Sequence, residues 1–279
     1  MKLLMIGAHQ DDNEFRCGGI AYRLKQQGHE VRFLSMCNGC GGHHIMTPKE
    51  TTARRATEYA AFAKLLGIQY DVWDIDDCSL VADLETRRRL IRYIREFAPD
   101  VIITHRPNDY MADHRAAAQL VQDASYMLIV PHECPDAPAM RKTPVIMYNE
   151  DHFQNPAFRP DIVTPVDEEV EIKMQIAHLN VSQVYEWLPY TYGEEVPVGE
   201  AERLEWLAGM NFTDDTTDAE VMAAPRGYKV RFAKTAARFR DRLIELYGPE
   251  KGAKVCFAEA FEVCEYGSPM SAEVKALFE

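Results

Sequence analysis

Apolar positions switch between two spacings along the first 130 residues. "KLLMIGA" (2–8) is a short apolar run, and "GGIAYRLKQQG" (18–28) after it has helical spacing. "EVRFLSMC" (30–37) alternates like a strand, and "KETTARRATEYAAFAKLLG" (49–67) is helical, with Gly67 placed as a C-cap. "QYDVWDI" (69–75) reads as a strand, and "LETRRRLIRYIREFAPD" (84–100) as a helix stopped by Pro99. "DVIITH" (100–105) reads as a buried strand and "HRAAAQLVQDASYM" (114–127) as the next helix. This β-α alternation predicts a Rossmann-like α/β fold, a mostly parallel sheet with helices on both faces.

The pattern loosens beyond about residue 130. "PVIMYNE" (144–150) and "DIVTPV" (161–166) read as a fifth and a sixth strand. "EEVEIKMQIAHLNVSQVYEWL" (168–188) reads as one helix with an acidic first turn. The stretch 190–225 is rich in acidic and small residues and reads as an insertion or partly mobile segment. An amphipathic helix (231–248) and a late strand within 256–267 follow, so the chain reads as one domain, 1–279, with a core to about 190 and a C-terminal extension after it.

In such a sheet, ligands bind at the carboxyl ends of the strands. The chemically loaded loops fall there: "HQDD" after the first strand, "NGCGGHH" after the second, "DIDDCSL" after the third and "HRPNDYMADH" after the fourth. Five of the nine histidines lie in them: His9, His43, His44, His105 and His114. A histidine and an aspartate three residues apart on a tight turn can ligate one metal ion, and a second, adjacent aspartate can serve as base. Alternatively, Asp11 and Asp12 cap a helix starting near Gly18. A third ligand would come from the fourth-strand loop, with His114 and His105 both available.

The net charge of −13 argues against nucleic-acid binding and adsorption to anionic membranes. No stretch approaches 18 apolar residues, which argues against membrane insertion, and the apolar N-terminus is too short for a secretory signal. Seven cysteines, with the single CxxC of Cys37 and Cys40 in a glycine-rich loop, suit a reducing cytoplasmic compartment. GxGxxG and GxxxxGK[ST] are both missing, so nucleotide binding lacks support.

The segments "AHQDDNEFRCGG" and "HRPNDYMADHR" resemble the two motifs of the LmbE-like, or PIG-L, zinc-dependent deacetylases, AHPDDE and HPDH. The resemblance extends to "RRATEYAAFAKLLG", "SQVYEWLP" and "FAEAFEVCEYG". It implies that His9, Asp12 and His114 bind Zn²⁺, and that Asp11 is the base that activates water against the acetamide of an N-acetylglucosamine-type sugar or glycoconjugate. It also implies that Arg55, in an R-x-x-E with Glu58, reaches the sugar; a surface ion pair is the equal alternative. Asp77 is a candidate for sugar hydroxyls or for capping the next helix, and Tyr110 for an oxyanion. Homo-oligomers remain open. The chain departs from the pattern at Gln10, at Asn13 (with Glu14 one place later), at Met111 and at Asn180, the last two standing where related proteins carry histidines. Asp113, the partner expected for the missing imidazole, is retained, and His43 or His44 could replace Met111. Loss of one transition-state donor costs roughly 10²–10³ in rate. Both a slowed deacetylase and a metal-binding relative that recognises a sugar or partner protein follow from these departures.

Overall fold

A computed structural model describes residues 1–279. Seven strands form one sheet: β1 (Lys2–Gly7), β2 (Glu30–Ser35), β3 (Gln69–Val72), β4 (Val101–Thr104), β5 (Val145–Asn149), β6 (Ile162–Pro165) and β7 (Ala258–Val263). Their spatial order is β3-β2-β1-β4-β5-β7-β6. The first five are parallel neighbours, whereas β7 runs antiparallel to both β5 and β6. The five helices of the αβ part are α1 (Asp12–Gln26), α2 (Pro48–Leu66), α3 (Leu84–Phe97), α4 (Ala112–Met127) and α5 (Val170–Leu179). Successive β1 side chains enter opposite cores, as the pleat requires. Leu4 and Ile6 pack with Ile91 and Ile94 of α3 and Leu120 of α4. Leu3 and Met5 pack with Ile20 and Leu24 of α1 and Phe62 of α2.

Local signals hold at several ends. Gly67 closes α2 at φ 65°, the left-handed conformation in which glycine carries no Cβ penalty. α3 stops at Phe97, two residues before Pro99. Two expectations change. The first helix starts at Asp12, not near Gly18, so the acidic cluster is itself the helix N-terminus. The helix expected over 168–188 breaks at Asn180 and continues as a π-helical turn over Ser182–Trp187.

The boundary expected near 190 does not divide the sheet, because β7 lies between β5 and β6. Glu259 of β7 accepts from the Gly19 and Ile20 amides of α1 (2.9 and 3.0 Å) and pairs with the fully buried Lys173 of α5. A Cβ on Gly19 would stand 3.0 Å from Glu259 Oε1, so the "CGG" of the opening motif lets α1 approach this strand. The stretch 190–225 is built of α6 (Leu188–Tyr192), α7 (Glu200–Ala208) and α8 (Asp218–Ala223). Leu207, Phe212 and Val221 from it join a third core with Phe15 of α1 and Met174 of α5. Three helices complete the chain: α9 (Tyr228–Arg238), α10 (Arg240–Lys254, kinked at Gly248) and α11 (Ala272–Lys275).

Candidate metal centre

The chain runs from β1 outward through β2 to β3 on one side, and through β4 to β5 on the other. The direction of winding therefore reverses between β1 and β4, and their carboxyl ends flank a crevice. His9, Asp11 and Asp12 follow β1, and His105 and His114 follow β4. The loops converge on a cleft of about 470 Å³ whose walls include His9, Asp11, Asp12, Arg55 and His114.

One potential ligand atom from each of His9, Asp12 and His114 lies within 4.8 Å of the others. His9 Nδ1 is 3.6 Å from Asp12 Oδ2, and His114 Nε2 is 3.3 Å from Asp12 Oδ1. The opposite nitrogen of each ring is held from behind. His9 Nε2 lies 3.0 Å from Asp113 Oδ2, and His114 Nδ1 lies 3.0 Å from Asp109 Oδ1. A ring N–H given to each of these carboxylates leaves the other nitrogen facing Asp12, and that nitrogen offers a lone pair to a cation once it has lost its proton. Two lone pairs and a carboxylate aimed at one point, backed by two further carboxylates, fit the donor set and outer support of a zinc-type divalent cation. Two other sets come equally close: His105, Asp109 and His114, in which Asp109 is already engaged by His114 Nδ1 and the Met111 amide, and His9, Cys37 and Asp77, which needs a thiolate although burial, reinforced by Asp113, pushes the Cys37 thiol far up.

The electrostatics favour positive charge at this point. Burial opposes a charged His9 ring, but the bonds to Asp113 and Asp12 outweigh it and raise His9 well above its ordinary value. Burial likewise opposes charge on His114, and Asp12 and Asp109 override it. Asp12 is held well below the usual carboxylate range despite its burial, first by His114 and then by His105. A metal would compete with protons for these same lone pairs.

Asp11 is the N-cap of α1 and adopts φ 131°, a strained conformation for a residue with a Cβ. Burial pushes its carboxyl up to about 6, against the Arg55 guanidinium 3.7 Å away. Behind it, Glu14 accepts from the Asp11 amide at 3.0 Å and from the Tyr70 hydroxyl at 3.1 Å. Burial, then Asp11, pushes Glu14 up to about 8. Asn13, where the motif's glutamate was expected, donates to the Met5 and Leu34 carbonyls and ties β1 to β2. His105 is buried, with Nε2 3.1 Å from both the Ala8 amide nitrogen and Asp12 Oδ2, and its ring stacks on His114. Burial, followed by the His114 charge, lowers it.

The remaining candidates divide. Arg55 lines the cleft and is 2% exposed; its expected i,i+3 partner Glu58 instead accepts from the Ser182 amide and hydroxyl. Tyr110 lines the rim and is 75% exposed. Asp77 lines the cleft, but its two oxygens accept from the Gly39 and Gly41 amides, and Asp83, not Asp77, caps α3. His43 and His44 lie outside the lining. His43 Nδ1 accepts from the Ile45 and Met46 amides and Nε2 meets Glu186 at 2.9 Å, while His44 stacks on Tyr190. No replacement for the Met111 imidazole comes from them. Met111 itself lines the cleft, but Asn180 does not; its side chain donates to the Ile176 carbonyl. Asp113 was expected to serve the position of Met111 and instead serves His9. The roles of Asp109 and Asp113 were not legible because they act across a loop and across the switch point.

Comparison with known proteins accords with this architecture. The model of the PIG-L family, described as GlcNAc-PI de-N-acetylase, matches residues 4–125. The 4-oxalmesaconate hydratase of Pseudomonas putida is 25% identical over 196 residues, 67% of this chain and 76% of that protein. The diacetylchitobiose deacetylase of Thermococcus kodakarensis is 23% identical over 227 residues, 76% of this chain and 82% of that one. The solved N,N'-diacetylchitobiose deacetylase from Pyrococcus horikoshii superposes with a TM-score of 0.68 at 17% identity, covering 95% of this chain and 84% of that chain, and so shares the fold. Since α1, β4 and most of β1 and α4 lie within the matched span, the chain carries a PIG-L (LmbE-like) domain over residues 4–125, with the His9, Asp12 and His114 cluster inside it.

Proposed function

We propose that the protein is a zinc-dependent hydrolase that removes an acetyl group from an N-acetylated sugar or glycoconjugate. The observation that carries this reading is the convergence of His9, Asp12 and His114 beside a buried carboxyl, Asp11, in a family whose members include deacetylases. His9, Asp12 and His114 would hold the cation, which supplies a Lewis acid and a more acidic water when bound. Asp11 takes the proton from the attacking water, and its raised pKa suits a group that must accept and then release a proton near neutrality. Arg55 lines the cleft and sets its positive charge against Asp11, with Nη2 3.7 Å from Asp11 Oδ1. Amide cleavage also needs a proton for the leaving amine. Methionine at 111 cannot supply it, and the proton taken up by Asp11 can be passed to the amine instead.

That same residue favours a second reading. Hydration of a carbon–carbon double bond adds the hydroxide of water to one carbon and its proton to the other; the proton taken by Asp11 can be the one returned to carbon, so no separate donor at 111 is required, and one relative is a 4-oxalmesaconate hydratase. Acetate release from a panel of N-acetylated sugars, measured for the natural chain and for Met111→His, tests the first reading. Activity in the natural chain that rises on Met111→His, by up to roughly 10²-fold, supports deacetylation. Silence in both, together with loss of absorbance from an unsaturated carboxylate, replaces it with hydration.

A further inference from the structure

A second cavity, of about 410 Å³, lies beside the metal cleft, and Tyr192 lines both. Four arginines line it: Arg16, Arg226, Arg231 and Arg238. Such a concentration is unexpected in a chain of net charge −13. Two of them are neutralised. Arg238 Nη2 lies 3.1 Å from Glu150, and Arg226 Nε lies 3.6 Å from Glu194. Arg16 and Arg231 form no ion pair. Arg16 donates only to the Glu150 carbonyl, at 2.6 Å, and Arg231 rests over the Phe15 ring.

Three carboxylates also line the cavity. Each has a cationic partner, although Asp151 Oδ2 is buried without a hydrogen-bond partner. Glu259 serves Lys173 and the α1 amides. Asp151 takes the Arg106 guanidinium at 2.8 Å. Glu150 takes the Thr235 hydroxyl at 2.6 Å and Arg238. Burial, and next the charge of Arg16, lowers Arg231 from its ordinary value. A guanidinium presents a planar fork matched to an oxyacid. Arg16 lies four residues beyond Asp12 on α1, one helical turn or about 6 Å along the axis.

We propose that this cavity is an anion subsite of the metal cleft, in which Arg16 and Arg231 clasp a carboxylate or phosphate carried by the substrate. The subsite rests on the reading of the cleft as catalytic; the affinity of the cavity for an oxyacid does not. Both the hydrolytic and the hydration readings would then act on an acidic molecule, bound by its anion on one side of Tyr192 and reacting on the other.

Calorimetric titration with succinate and with inorganic phosphate tests the binding. The natural chain should bind at least one of the two in the millimolar range. Arg16→Gln and Arg231→Gln should each weaken that binding tenfold or more, the loss of a charge-assisted pair. His114→Ala should leave it unchanged, since the anion is not on the metal. Equal binding by all four proteins, no binding by the natural chain, or loss in His114→Ala would overturn the proposal. Circular dichroism checks the fold, and Arg231→Lys, which keeps the charge without the fork, decides if Arg231→Gln unfolds. Kinetics with N-acetylglucosamine and its 6-phosphate test the connection to the cleft. Arg231→Gln should raise KM tenfold for the phosphate alone, with kcat little changed. Lost anion binding with unaltered KM would make the cavity a separate site and overturn the subsite. If neither sugar turns over, these two are excluded as substrates, and the titrations still decide the anion site.

Discussion

Asp113→Asn isolates the support behind the metal centre. Asp113 is fully buried, and its carboxylate serves three donors. Oδ2 takes His9 Nε2 at 3.0 Å and the Cys78 amide at 2.7 Å, and Oδ1 takes the Leu80 amide at 3.2 Å. Asparagine keeps the shape but offers one acceptor oxygen. Placed toward His9 and Cys78, it turns its NH₂ against the Leu80 N–H and orphans that donor. The cost is about 1–3 kcal/mol of folding stability. The charge behind His9 is also lost, so the ring is a poorer base toward a cation. Losing such a partner lowers metal affinity about 10–100-fold, or roughly 1.4–2.7 kcal/mol. Zinc titration against a competing chelator measures the second effect, and urea unfolding the first. Unchanged zinc affinity in a protein that has lost stability would refute the reasoning, because Asp113 would then serve only the loop after β3. Asp109→Asn behind His114 is the matched comparison, since Asp109 Oδ1 takes both the ring and the Met111 amide.

Two further outcomes test the scaffold. Arg95, 5% exposed, donates to the carbonyls of Met127, Leu128, Val130, Glu133, Cys134 and Ala137, satisfying the end of α4 and the turn after it. Arg95→Lys keeps the charge but loses the fork, and should cost about 2 kcal/mol or more by urea unfolding; a loss under 0.5 kcal/mol would be inconsistent with this role. Glu14 is raised from 4.5 to about 8, so between those values the folded chain holds a proton that the unfolded chain has released. Its folded pKa lies above the unfolded one, so the stability it contributes is full below about 4.5 and is lost as pH rises toward 8. Glu14→Gln mimics the protonated side chain and should flatten the decline of the urea midpoint across that window. Parallel declines in both proteins would show that Glu14 is ionised when folded.

The order of strands and helices through residue 130 was written in the hydrophobic spacing, because each element buries a stripe or face set by its own backbone period. The candidate cluster was legible in part: His9 and Asp12 are three residues apart, and the sheet rule put both His105 and His114 after a neighbouring strand, while the choice of His114 came from the family resemblance. Other features depended on contacts between distant segments. Nothing local says that β7 lies between β5 and β6, since antiparallel partners are chosen by packing, here with Glu259 reaching α1 and Lys173. Asp113 looked like the partner of residue 111 because it is near it in sequence, yet a residue at the second position of α4 faces across the switch point to His9. His43 looked free because a sequence does not show that Glu186 and two amides take its ring. The arginines at 16, 226, 231 and 238 share no motif; they meet because α1, α9 and the segment before α9 pack around one cavity. Spacing along the chain fixes what one element presents. Which groups then face each other, and whose charge is left unpaired, is settled only when the elements pack.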